Sequence, residues 1–224
     1  MADNAAVFNQ IVQERRSIRA FLPKAVPRDL MDAVFGASLK APSNCNTQPW
    51  FAHIVTGDLL ETLREELPRR FMAGDVAPDY PYDGQYDGEF KVRQYAAAQV
   101  LYDALGIQRE QREERQQWFL RNFSFFDAPA VAFFTLPAAF GLREACDLGM
   151  FTQTVMLGLT ANGLGSCPQT ALGFMANAVR PALNLPDDQK LMFGLSFGYP
   201  DWEASVNSAV TDRASASDLI HYHQ

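Results

Sequence analysis

The fold of this chain is decided by residues 148–162, LGMFTQTVMLGLTAN, which belong to a longer run without charged side chains between Asp147 and Arg180. A helix that crosses a bilayer needs about 20 predominantly apolar residues without interruption. This run carries threonine and glutamine side chains and is broken at Gly163. We therefore predict a helix over residues 145–162 that is buried inside protein, and no membrane span.

Segments on both sides of this helix predict a few strands and several further helices. The predicted strands are residues 50–56, 130–136 and 190–197, and the predicted helices are residues 4–16, 89–106, 109–115, a segment near 172–183, one between Pro27 and Pro42, and one after Gly57-Asp58. Residues 166–170 are predicted to be a short connection. Few strands, several helices and one helix that is apolar nearly all round indicate an α+β domain built in layers.

Composition limits the classes of partner and compartment. The 224 residues carry a formal net charge of -7, with 48% hydrophobic and 20% charged residues, which is typical of a globular protein. Nucleic acid and anionic membranes are disfavoured as partners, because either would need a basic surface. Three widely spaced cysteines (Cys45, Cys146 and Cys167) match no disulfide framework and indicate a reducing cytoplasm. The N-terminus has no signal-peptide pattern.

Chemistry carried by side chains alone is not indicated. No residues are spaced for a metal site, and His53, in the middle of a predicted strand, is interpreted as structural. Gly163-Leu164-Gly165 follows a helix rather than a strand, so it marks a helix end and not a dinucleotide-binding loop. We predict no catalytic side chain and no metal; if the protein is an enzyme, a cofactor carries its chemistry.

Residues 15–19, Arg-Arg-Ser-Ile-Arg, concentrate three guanidinium groups in an acidic chain. A planar guanidinium matches phosphate bidentately and keeps its charge, which favours a phosphate site. The alternative is a solvated helix end, where cations suit the helix dipole. Residues 43–48, between Pro42 and Pro49, are rich in side chains that both donate and accept hydrogen bonds. That loop suits the edge of a heterocycle, or is simply a turn with solvated amides.

Together these stretches resemble the FMN-dependent nitroreductase family. The resemblance rests on residues 15–19, residues 41–50, Asp147-Leu148-Gly149-Met150, residues 163–169, Gly198-Tyr199-Pro200, and Asn207 with Thr211-Asp212-Arg213. It spans essentially the whole chain in order. It implies a layered fold with a central, mostly antiparallel sheet flanked by helices, and an intertwined homodimer whose C-terminal arm, residues 198–224, crosses to the partner. Residues 1–224 would form a single domain, and Trp202, Val206, Val210, Leu219 and Ile220 suggest that the arm packs.

The resemblance also implies which residues bind the cofactor. Arg15, Ser17, Arg19 and Arg213 would hold the FMN phosphate and ribityl chain, with Arg16 near the pyrimidine edge. The flavin would be approached from the other subunit by Pro42, Ser43, Asn44, Asn46 and Gln48. One ring face would be covered by Pro168, Gln169 and Thr170, with a backbone N–H near the hydride-accepting nitrogen.

The segment from about 70 to 126 departs from the compact family pattern and is interpreted as a lid over the substrate pocket. Flat acceptors could stack on its aromatic residues. The candidates are Tyr80, Tyr82, Tyr86 and Phe123, whereas Phe125 and Phe126 are at least as well explained as core residues.

The implied activity is ping-pong electron transfer from NADH or NADPH through tightly bound FMN to a nitroaromatic, quinone-like or related electron-poor acceptor. Two alternatives stay open at this point. One is a sister activity on the same scaffold, either reductive dehalogenation or enone reduction. The other is an FMN-binding protein without turnover.

Overall fold

The fold is described for residues 3–224 by a computed structural model. Its regular elements are α1 (Asn4–Glu14), α2 (Arg28–Ser38), β1 (Phe51–Val55), α3 (Gly57–Met72), α4 (Gly88–Leu105), α5 (Arg112–Leu120), β2 (Ala130–Pro137), α6 (Leu142–Ala161), β3 (Gly165–Gln169), α7 (Ala176–Ala182), β4 (Gln189–Gly198) and α8 (Ala216–Leu219). Short 3₁₀ turns occupy residues 44–46, 125–127, 170–175 and 205–208.

The four strands form one antiparallel sheet in the order β1-β2-β4-β3. β2 lies inside the sheet, and its residues from Ala130 to Leu136 are all buried. A continuous apolar run is what a strand covered on both faces requires. The predicted α+β layered class with a mostly antiparallel sheet is therefore confirmed.

α6 covers one face of this sheet together with α2. Its first turn is capped by the Glu144 carboxylate, which accepts from Gly141 N–H at 2.9 Å. Leu148, Phe151 and Val155 recur at helical spacing on its buried face, where the ring of Phe151 stacks on Trp50 at 4.9 Å. The predicted helix over 145–162 is confirmed. Within the chain only one side of α6 is buried, and Met150 on the other side is 40% exposed.

α3 covers the other face through three fully buried leucines. Leu60, Leu63 and Leu67 pack in one apolar cluster with Phe123, Phe125 and Phe126. Phe125 and Phe126 are therefore core residues. Both have positive φ values, 59° and 53°, which are costly for a non-glycine residue unless packing holds them. This cluster fixes the end of the 70–126 segment onto the sheet.

Two sequence-based boundaries were wrong. Residues 166–170 are not a connection, because residues 165–169 form the edge strand β3. Proline is a poor strand residue except at an edge, and Pro168 occupies such an edge. The helix predicted near 172–183 is divided into a 3₁₀ turn at residues 170–175 and α7.

His53 of β1 has the structural role that its place in a strand predicts. Its Nε2 lies 3.1 Å from Thr135 Oγ1 and 3.2 Å from Gln189 Oε1, so it ties the edge strand to both central strands. Burial lowers the pKa of His53, and the hydrogen bond with Gln189 opposes that shift only in part.

This pKa shift predicts a pH-dependent stability. Because the folded pKa of His53 lies below the unfolded value of about 6.5, the unfolded chain takes up the proton first as pH falls. The free energy of unfolding should therefore be highest above about pH 6.5 and should fall below it. Denaturant unfolding between pH 5 and 8 measures this, and the decline should be shallower in His53→Gln. An equal slope in that variant would show that other groups cause the decline.

Candidate cofactor-binding site

The chain segment after α1 is held in an extended form against the edge of the sheet. Ser17 bridges to Ser166 of β3, and Ile18 N–H donates to the Ser166 carbonyl at 2.9 Å. Ile18 is buried, so the alternation of an extended chain turns Ser17 and Arg19 to the opposite side. Burial of Ile18 therefore places the predicted phosphate-binding residues Ser17 and Arg19 on the side opposite to the core.

Gly165 permits this close approach. A Cβ at Gly165 would lie 2.5 Å from Ile18 Cγ1 and 2.9 Å from Pro200 Cγ, which is closer than packed atoms can come. Only glycine lets the two backbones meet here. The segment Gly163-Leu164-Gly165 therefore serves helix termination and close packing, and it does not form a nucleotide loop.

A cavity of about 500 Å³ opens where this segment meets the C-terminal arm. Arg15, Ser17 and Arg19 line it from one side, and Thr211 and Arg213 line it from the other. Burial lowers the pKa of the Arg15 guanidinium, and the positive charge of Arg213 lowers it further. Residues 198 positions apart in sequence thus share one site.

The positive charge of this cavity is not compensated within the described chain. Arg213 donates to the Thr211 and Asp212 carbonyls, and the Arg19 guanidinium makes a long 3.5 Å contact with the Ser17 carbonyl. Over residues 3–224, no carboxylate forms an ion pair with an arginine of this cavity. A phosphate supplies the missing charge and acceptor oxygens, so these residues fit the FMN phosphate.

Arg16 points to a second cavity. Its guanidinium carbon lies 4.7 Å from the centroid of the Trp202 ring, a cation–π contact. Arg16 lines a neighbouring space of about 430 Å³ and also the cavity between Arg15 and Arg213 (the arginine cavity). Its placement at the pyrimidine edge of the flavin stays a prediction.

The outer edge of β3 offers backbone groups beyond the Ser17 bridge. Since the Ser166 carbonyl faces outward to Ile18, alternate residues along the strand also face outward. The Pro168 carbonyl and the Thr170 N–H therefore lie on the open edge, and both side chains are exposed. Proline contributes no N–H of its own, so Thr170 supplies the donor there.

Gln169 differs from its two neighbours. Its side chain is buried, and its amide is used inside the protein by Asn122 and Ser196. Contact of Gln169 with the flavin could therefore come only through its backbone.

The loop of residues 43–48 (the amide-rich loop) is ordered, but none of its residues lines the arginine cavity of its own chain. Its strained backbone has positive φ at Cys45, Asn46 and Gln48. Ser43 Oγ accepts from Gln48 N–H at 2.9 Å, which closes the loop. The residues predicted to meet the flavin from the partner are Pro42, Ser43, Asn44, Asn46 and Gln48, and all except half-buried Ser43 are exposed.

Asp147 is a residue to which the sequence assigned no role. Its carboxylate is buried, 3% exposed, and accepts from Asn44 N–H at 3.1 Å, so it holds the amide-rich loop against the start of α6. A signal was present, because Asp147 is the last charge before the long uncharged run. The spacing of 103 residues to Asn44 hid the partner.

The start of the 70–126 segment is fastened to the sheet. The Asp79 carboxylate accepts from Leu191 N–H at 2.8 Å and pairs with Arg180 at 3.2 Å. Ala77 N–H donates to the Phe174 carbonyl, in the 3₁₀ turn that continues directly from β3. This places the following tyrosines near the end of β3 that is far from Ser17.

Two of the predicted pocket tyrosines form a pair at that end. The ring of Tyr82 lies 5.9 Å from Phe174, and the Tyr82 and Tyr86 hydroxyl oxygens are 3.4 Å apart. The hydrogen bond to Tyr86 is the main cause of a raised pKa of Tyr82. Tyr80 is half-buried, and burial raises its pKa. Tyr82 and Tyr86 are exposed and available to a ligand.

Phe123 corrects the sequence prediction. It was expected to line the substrate pocket, but it is fully buried and stacks on Phe71 with ring centroids 4.2 Å apart. A side chain without exposed surface cannot stack on an acceptor. The aromatic density of residues 123–126 reflects core packing around α3.

Neither a metal-binding cluster nor a membrane-spanning helix is found in the part of the chain from residue 3 onward. No three side chains of metal-binding type cluster there. None of its helices combines the length and hydropathy that a membrane span requires.

Comparison with known proteins gives one consistent result. The family model described as the nitroreductase family matches residues 12–199. Nitroreductase NfnB of Mycolicibacterium smegmatis is 38% identical over 221 residues, covering 98% of this chain and 94% of that protein. A 4-nitrobenzoate reductase of Pseudomonas putida is 31% identical and covers 96% of this chain and 95% of its own length.

Solved structures agree with the sequence comparison. The crystal structure of the FMN-dependent nitroreductase NfnB from Mycobacterium smegmatis, in complex with NADPH, superposes with a TM-score of 0.95 over 99% of this chain and 100% of that one. The crystal structure of the FMN- and NADPH-dependent nitroreductase NfnB from sphigopyxis sp. strain HMH is 33% identical, with a TM-score of 0.93 over 97% of this chain and 99% of that one.

Proposed function

Because this chain belongs to the nitroreductase family, we propose that it is an FMN-dependent oxidoreductase. It transfers electrons from NADPH or NADH to nitroaromatic, quinone-like or related electron-poor acceptors. The observation that carries this proposal is the uncompensated arginine cavity beside the open edge of β3. The named activities of the relatives, nitroreductase and 4-nitrobenzoate reductase, support the choice of acceptor.

The side chains of this protein bind and orient the cofactor. Arg15, Ser17, Arg19 and Arg213 would hold the phosphate and the ribityl chain, and the outward Thr170 N–H would donate to the ring. When bound, FMN supplies hydride and electron transfer between the nicotinamide and the acceptor. Tyr82 and Tyr86 would border the space that both substrates visit in turn.

A homodimer completes the site. α4 has no buried residue within the described chain, and even its large apolar side chains Phe90, Val92 and Tyr95 are more than half exposed. Three large apolar side chains exposed on one helix are expected to be covered by a partner. A second copy of this chain would cover it and would bring its exposed amide-rich loop to the arginine cavity.

Beyond Arg213, which lines the cavity of its own chain, the C-terminal arm is proposed to cross to that partner. β1 is an edge strand whose Phe51 is 44% exposed, so its outer hydrogen-bonding groups can accept another segment. Leu219 and Ile220 in the arm remain exposed as well. Sedimentation that shows a monomer with full flavin occupancy would contradict the two-subunit site.

The remaining assignments concern organisation and compartment. We propose a single domain over residues 1–224, in which the segment from about 70 to 126 forms the lid and residues 198–224 form the arm. Cys45, Cys146 and Cys167 are all free thiols, in keeping with the proposed cytoplasmic location.

The test of this function is purification followed by a visible spectrum, identification of the released chromophore, and steady-state oxidation of NADPH and NADH with 4-nitrobenzoate or a quinone. Flavin absorbance and acceptor-dependent turnover are expected. A colourless protein that takes up no added FMN would refute the cofactor assignment. Flavin without turnover would instead leave an FMN-binding protein.

A further inference from the structure

The Gln169 side chain makes a buried connection that the proposed flavin chemistry does not use. Its Nε2 donates to the Asn122 carbonyl at 2.8 Å and reaches Asn122 Oδ1 at 3.4 Å. Its Oε1 accepts from Ser196 Oγ at 2.5 Å. Gln169 is 2% exposed, and Ser196 is fully buried.

An amide is an unexpected choice for this position. The neighbouring buried residues Cys167, Ala171 and Phe123 belong to an apolar cluster, which a leucine or methionine side chain would extend. Burying an amide costs free energy unless its hydrogen bonds are made, and packing alone does not require one. The hydrogen bonds of Gln169 therefore specify a geometry.

The connection joins three segments. Gln169 lies on β3, Ser196 lies on β4, and Asn122 lies in the turn where the 70–126 segment returns to the sheet. The Asn122 carbonyl also accepts from Phe125 N–H at 3.2 Å, and Asn122 Nδ2 donates to the Phe119 carbonyl at the end of α5. One side chain thus links the base of the lid to the strand beside the cofactor.

The same residue sets the orientation of the open edge. The backbone of Gln169, with φ -133° and ψ 96°, places the peptide plane that carries the Thr170 N–H. If the side chain lost its partners, that plane would be held only by strand pairing on one side. A displacement of about 1 Å at a reacting group can reduce turnover by roughly 100-fold.

We propose that Gln169 is a positioning residue that couples the lid base to the flavin-facing edge of β3, an inference that rests on the proposed function. Its amide holds Asn122 and Ser196 and does not contact the cofactor. Lid displacement at residues 119–127 is transmitted through this amide to the Thr170 N–H. Substitution of Gln169 should therefore change the reduction potential and the visible spectrum of the bound flavin. Binding of the FMN phosphate should be unchanged.

The test compares Gln169→Met in the FMN-loaded enzyme with Gln10→Met, the same change on the exposed face of α1. Gln169→Met should keep FMN affinity within about threefold, because the arginine cavity is unchanged. It should shift the flavin reduction potential and visible spectrum. It should also speed hydrogen exchange of residues 119–127 by at least about tenfold, since both contacts from Nε2 to Asn122 are lost. Gln10→Met should change none of these.

Ser196→Ala provides a milder second variant, because it removes only the donor to Oε1 and keeps both links to Asn122. Its effects should have the same direction and be smaller. Native spectrum, potential and exchange in Gln169→Met would overturn the proposal, as would native behaviour of Ser196→Ala if Gln169→Met does not fold. If the wild-type protein binds no FMN, the proposed function fails, whereas exchange of residues 119–127 still tests the link to Asn122.

Discussion

Charge reversal in Arg213→Glu is expected to weaken FMN binding by about 100- to 1,000-fold. Hydrogen bonds to charged groups contribute roughly 1.5–3 kcal/mol each, and every 1.4 kcal/mol is a factor of ten in affinity. Arg213 faces Arg15 and Arg19 across the cavity without a carboxylate partner. A glutamate would remove one phosphate contact and oppose the remaining charge.

The flavin-free form of this variant separates lost binding from lost folding. The charge of Arg213 lowers the pKa of Arg15, which means that the two guanidiniums repel each other. Without flavin, Arg213→Glu should therefore unfold at the same denaturant concentration as the wild type or a higher one. Arg28→Glu, at the exposed first position of α2, makes the same charge change and should retain flavin. Full occupancy in purified Arg213→Glu would refute the phosphate assignment.

Phe123→Ala is expected to lower the free energy of unfolding by about 3–5 kcal/mol, the cost of removing a fully buried phenylalanine. Phe123 has no exposed surface and contacts the rings of Phe71 and Phe119 in the cluster beneath α3. The cavity left behind would be lined by the apolar side chains of this cluster. Denaturant titration followed by circular dichroism measures the loss.

Tyr82→Ala is the matched control, since it removes an aromatic ring from the lid instead of the core. Tyr82 is 50% exposed, so its removal should change the free energy of unfolding by less than about 1 kcal/mol. Its effect should appear in KM for the acceptor. A small stability loss in Phe123→Ala, together with a changed KM for the acceptor, would show that Phe123 lines the substrate pocket and is not a core residue.

The elements with strong local patterns were predictable. The uncharged run after Asp147 predicted α6, and residues 130–136, apolar except for Thr135, predicted β2, because long helical or nearly continuous apolar patterns fit few alternative structures. β3 was missed because a five-residue strand containing Pro168 carries no such period. Its identity as a strand comes from pairing with β4, which is distant in the chain.

The candidate site was predictable where residue type alone carries the chemistry. For Arg15 and Arg19 the phosphate assignment stays a prediction, because a guanidinium pairs with carboxylate as well as with phosphate; the structure adds that both line one cavity with Arg213. Phe123 was misplaced because an aromatic residue serves a core and a pocket equally well, and sequence does not report exposure. The role of Gln169 was also hidden, since its partners are 47 and 27 residues away.

The sequence by itself determined the layered α+β class, the central helix, the family resemblance and the types of side chain proposed to bind a flavin phosphate. These follow from local periodicity and from functional groups, which are properties of short segments. The tertiary structure alone decided which of these side chains face a common cavity, which aromatic residues are buried, and that Asn122 is tied to β3 through Gln169. Such facts depend on contacts between distant segments. Ile18, packed against Gly165, is the contact that holds residues 15–19 at the edge of the cavity.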